Sequence, residues 1–93
     1  MMTNKEKFEL FHVTNPHVYT NLVTMARRYR AQEKRTKIGI ATLWESLRWN
    51  YLVGTEHRDF KLNNDFKAHY ARLIMSRNAD LRDMFNVREL SAA

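Results

Sequence analysis

Apolar residues recur at three- and four-residue steps in three separate stretches of this chain, the period of a helix with one buried face. Val18, Tyr19, Leu22, Val23, Ala26 and Tyr29 make the first stripe. Ile40, Leu43, Trp44, Leu47 and Tyr51 make the second, and Phe66, Tyr70, Leu73 and Ile74 the third. Each stripe is bounded by residues that start or stop helices. Asn15 can accept from the free amides of a first turn and Pro16 has no amide to leave unpaired, so a helix is predicted from Pro16 to about residue 34. Ile38, Gly39 and Leu43 have the spacing of a hydrophobic staple, which starts a second helix at Ile40. Gly54 breaks it. Asn63 or Asn64 caps the third, which runs to about Ser76, and Asn78 caps a short fourth whose Leu81, Met84 and Phe85 face inward.

Between the second and third helices the helical period is lost. Phe60, Lys61 and Leu62 alternate instead, and residues 53–62 read as a short β-hairpin or wing with "EHRD" as its turn. The fold class is therefore mainly α, a small three- to four-helix domain of helix-turn-helix-like layout. Residues 1–14 read as an N-terminal arm, 15–90 as one helical domain and 91–93 as a tail. With 93 residues, 44% of them apolar, the chain supports a single modest core.

Several chemistries lack their parts. The chain has no cysteine, so disulfides and thiolate metal sites are excluded, and a reducing cytoplasm is expected. The start, "MMTNKEKFELFHV", lacks the apolar run of a signal peptide, and no stretch approaches the roughly 18 apolar residues of a membrane span. Of the four histidines, at 12, 17, 57 and 69, His69 has a carboxylate one turn away, Asp65, with which it could share a ligand, and no third partner is placed by spacing. His57, Arg58 and Asp59 match the kinase tripeptide without a glycine-rich loop to accompany them. No enzyme, cofactor or metal is expected. The outside alternative is a small nuclease on Asp59, Asp65 and His69.

Charge is the positive signal. The formal net charge is +6, and residues 27–37 supply Arg27, Arg28, Arg30, Lys34, Arg35 and Lys37 against Glu33 alone. A basic run at a helix end suits the helix dipole, and it also suits phosphates, each of which releases counterions when neutralised. Five or six such contacts to duplex DNA give a salt exponent of about −5. In a helix-turn-helix the second helix presents its polar face to the major groove; here that face carries Thr42, Glu45, Ser46 and Trp49, with Arg48 at its flank reaching a phosphate. Lys61, Asn63, Asn64 and Lys67 surround the start of the third helix, where unpaired amides attract anions. The bland reading of the asparagines is a cap and a turn.

Trp44 and Trp49 lie on opposite sides of the second helix. At about 100° per residue from Ile40, Trp44 falls with the core stripe and Trp49 at about 180° from it. Either "VGTEHRDF" or "FELF" covers Trp49, or it is an exposed aromatic beside Arg48, suited to a protein hot spot or to stacking on a base.

Asn15-Pro16 at a helix start, "LWESLRW", "FKLNN" and "HYARLIM" together resemble a family of small proteins encoded by bacteriophages and prophages, over roughly residues 15–90. The resemblance implies a bacterial cytoplasm and a DNA-linked role, with no established active site. Many members of that family carry Ser or Thr before the second helix, where this chain has Gly39. The expectation is a phage-encoded accessory or regulatory protein that binds DNA, duplex in preference to single strands or RNA, through Arg27, Arg28, Arg30, Lys34, Arg35 and Lys37, with a homodimer as an open arrangement. The rival is a phage protein that binds and inhibits or redirects a host protein.

Overall fold

Thr3 opens the chain's first helix. Its hydroxyl accepts from the Glu6 amide at 3.1 Å and the Glu6 carboxylate accepts from the Thr3 amide at 3.0 Å, a reciprocal capping box. In this computed structural model, which describes residues 1–33, 38–54 and 63–85, the helix so started is α1, Asn4–Thr14. The expected N-terminal arm is thus a helix. Phe8 is why it docks: it is buried, edge-on to Tyr70 at 4.7 Å and stacked on His69 at 5.0 Å. Phe11 adds a contact to Phe66 at 5.1 Å.

Helix α2, Pro16–Glu33, starts at the predicted proline. Asn15 serves the preceding helix instead of this one: its amide nitrogens donate to the Phe11 carbonyl, closing α1, and only its backbone carbonyl reaches forward, to the Val18 amide. Val18, Leu22, Val23 and Ala26 are buried as the stripe requires. Helix α3, Ile40–Gly54, begins where the staple places it, with Ile38 partly buried against the core. It runs through Val53 and Gly54, two residues expected in the hairpin; a glycine is tolerated at a helix end, where little of its backbone is tied down.

Asn63 caps a 3-10 turn, Asn64–Phe66, by accepting from the Asp65 amide at 2.9 Å, and the chain continues directly into α4, Lys67–Arg77. The Asn78 side chain caps no fourth helix. Its amide donates to Tyr19 and to the Ile74 carbonyl, both at 2.9 Å, and the expected fourth helix is a single 3-10 turn, Ala79–Leu81. Leu81, Met84 and Phe85 are nonetheless buried, because inward position depends on spacing and not on the turn type.

The four helices meet around Trp44 and Tyr70, whose rings lie 5.6 Å apart and which are fully buried. The fold is mainly α, and among the described residues there is no strand. Lys34, Arg35, Lys37, Lys61, the Tyr51 side chain, residues 55–62 of the expected wing and the 91–93 tail lie outside the described residues. No described helix is long and apolar enough to cross a membrane.

Candidate nucleic-acid interface

The three described members of the expected cluster, Arg27, Arg28 and Arg30, separate into two environments. Arg27 is turned toward the segment after α4: its Nε lies 2.9 Å from an Asp80 carboxylate oxygen, and its terminal nitrogen donates to the other oxygen at 3.2 Å and to Asn78 at 3.0 Å. Arg30 donates to the Asp80 carbonyl and pairs with Asp83 at 3.1 Å. The Arg27 hydrogen bond holds the Asp80 carboxyl below the usual carboxylate range. Two of the six proposed phosphate ligands are thus already held by carboxylates of the same chain. Sequence reasoning missed both aspartates, since nothing local marks a pairing across about fifty residues of chain.

Arg28 stands apart. It is exposed, pairs with no described carboxylate, and lines a shallow depression of about 220 Å³ between α2 and α3 with Asn21, Thr24, Met25, Leu47 and Asn50. Asn50 adjoins Trp49, which is 65% exposed where Trp44 is 0%. "FELF" does not cover the outward indole, because Phe8 and Phe11 are spent on Tyr70 and Phe66. Thr42, Glu45 and Ser46 are exposed on the same helix.

Arg48 is fixed in place beside the indole. One terminal nitrogen lies 2.7 Å from Glu45 and the other donates to the Asn64 side chain at 2.5 Å, which ties α3 to the turn before α4. The bridge brings Arg48 and Asn64 together, next in sequence to Trp49 and Asn63, with the half-buried Lys67 one turn on. Glu45, an awkward neighbour for phosphate, thereby becomes a partner that positions Arg48. Asn63 acts as a cap, while Asn64 acts as an acceptor.

His12 and His69 flank Phe8, at ring distances of 6.0 and 5.0 Å. Burial, then nearby Arg77 for His12 and Arg72 and Lys5 for His69, pushes both imidazoles below their ordinary value. Among the described residues no three His, Asp or Glu side chains gather as a metal site. Comparison of the chain with protein families, with curated proteins and with solved structures returns no match.

Proposed function

We propose that this protein is a non-enzymatic DNA-binding accessory protein, with the outer face of α3 and the basic run 27–37 turned toward the duplex. One observation carries the reading: a tryptophan 65% exposed on a polar helix face, flanked by Arg48 and by the Arg28 depression, in a chain with net charge +6. Trp49 offers a stacking or sugar-packing surface. Arg28 and Arg48 supply charge at its two sides, and Thr42, Asn63 and Asn64 supply donors and acceptors for base or sugar edges. We propose a bacterial cytoplasm as its setting. One domain of this size makes few base contacts, so a symmetric dimer on a two-fold site would double them.

The test is fluorescence anisotropy of a labelled random-sequence duplex across a salt series. With Arg27 and Arg30 held by Asp80 and Asp83, about four cations of the run remain, and log K should fall with log salt at a slope between about −3 and −4. Arg28→Glu should weaken binding across all sequences. A flat salt response, or no binding at low salt, removes the reading.

The rival, capture of a host protein, is favoured by a specific observation. The same two ion pairs take charge out of the basic pole and leave Trp49 as the strongest anchor, and an exposed tryptophan next to an arginine is the usual composition of a protein hot spot. Under that reading the partner surface is acidic, Trp49→Ala abolishes capture, and nuclease treatment of the lysate leaves capture intact.

A further inference from the structure

A second surface shares no residue with the Trp49 face. Helices α1 and α4 enclose an open groove of about 550 Å³, within the size range of ligand sites. Its apolar lining is Phe8, Val13 and Leu73, together with the imidazoles of His12 and His69. Among the described residues its charged lining is mostly cationic, with Lys5, Arg72 and Arg77 against the single carboxylate Glu9. Val13 is 74% exposed and Leu10, three residues earlier on the same helix, is 55% exposed. The helix that closes the core by one face thus leaves apolar side chains uncovered on another.

We propose that this groove docks an amphipathic helix of an acidic partner protein. Three features select that occupant. The walls are two helices, and a third helix can lay an apolar ridge between them, with anchors at i, i+3 or i+4 and i+7. The described residues offer no strand edge, so a partner that adds a strand has no template. Among the described residues the groove carries three positive side chains to one negative, which favours acidic residues flanking the apolar ridge and penalises basic ones. Val13 and Leu73 take the ridge, while Lys5 and Arg77 meet its acidic flanks.

The test uses the full chain, labelled with 15N, and a synthetic amphipathic peptide of about four turns with Leu and Phe on one face and Glu on its flanks. Amide shifts should appear around Phe8, Val13 and Leu73. Affinity should fall at least about tenfold when the Glu residues of the peptide become Lys, and by about as much with Val13→Glu, a change at an exposed position that leaves the core packing alone. Arg77→Glu should weaken binding in the same direction. Trp49→Ala should leave it unchanged, so failure here and failure of DNA binding are separate results. The proposal is overturned by equal affinity for the lysine peptide, by shifts centred on α3, or by no shifts at millimolar peptide. Self-association of the free chain through this groove, seen by sedimentation and lost with Val13→Glu, also overturns it.

Discussion

Trp44 and Trp49 carry the same side chain to opposite ends of the exposure scale. Trp44 packs on Tyr70 at 5.6 Å with nothing left to solvent, so Trp44→Ala opens a cavity and should cost about 3 to 5 kcal/mol in urea denaturation. Trp49→Ala removes a side chain that is 65% exposed and should change stability by no more than about 0.5 kcal/mol, while reducing DNA affinity in the anisotropy assay. If Trp49→Ala proves as damaging to stability as Trp44→Ala, the indole is structural. Both orientations were legible from helical geometry alone, because half a turn separates the two positions. What covers the outward face was not legible, since that depends on where distant segments lie. Arg48 makes the same point: its flank position follows from the helix, but its bond to Asn64 needs two segments brought together by the core.

At the scale of elements, α1 is the largest departure from expectation. The signal was present, in Thr3 followed three residues later by Glu6, but the apolar residues behind it, Phe8, Leu10, Phe11 and Val13, make no single stripe. Two of them face the core and two face out, which the sequence pattern reads as an unspecified arm. Phe8→Ala should therefore destabilise the whole domain by about 3 to 5 kcal/mol, where a detached arm would show no change in the urea midpoint. The α1–α4 contact also carries a pH dependence. His12 and His69 have lowered values in the folded chain, so the unfolded chain takes up protons first. Stability should be full above the ordinary imidazole value of about 6.5 and should fall as the pH drops below it, levelling once the folded histidines are themselves protonated. The carboxyls of Glu6 and Asp80, lowered by their hydrogen bonds, lose their contribution only in more acidic solution. Urea midpoints at several pH values between about 7.5 and 5 should decline in the native chain and decline less with His12→Phe and His69→Phe combined.

For the whole molecule, the question is how much of the +6 charge reaches a partner. Asp80 and Asp83 sit on the segment after α4, yet they neutralise arginines of α2. Exposed pairs of this kind are individually weak, so Asp80→Asn with Asp83→Asn should leave the fold intact, strengthen DNA binding and steepen the salt slope by about 2. An unchanged slope would mean that Arg27 and Arg30 never meet phosphate. The sequence by itself determined the helical class, the starts of α2 and α3, the inward direction of Val18, Leu22, Val23, Ala26, Leu43, Trp44, Leu47, Phe66, Tyr70 and Ile74 and of Leu81, Met84 and Phe85, and the outward direction of Trp49, because each follows from spacing along one element. Only the tertiary structure decided that the N-terminal segment is a docked helix, that Arg27 and Arg30 have carboxylates of their own, that Asn64 holds Arg48, and that a groove with a mostly cationic charged lining lies between α1 and α4. Those are contacts between residues far apart in the chain, and they form only when a shared core brings the elements that carry them together.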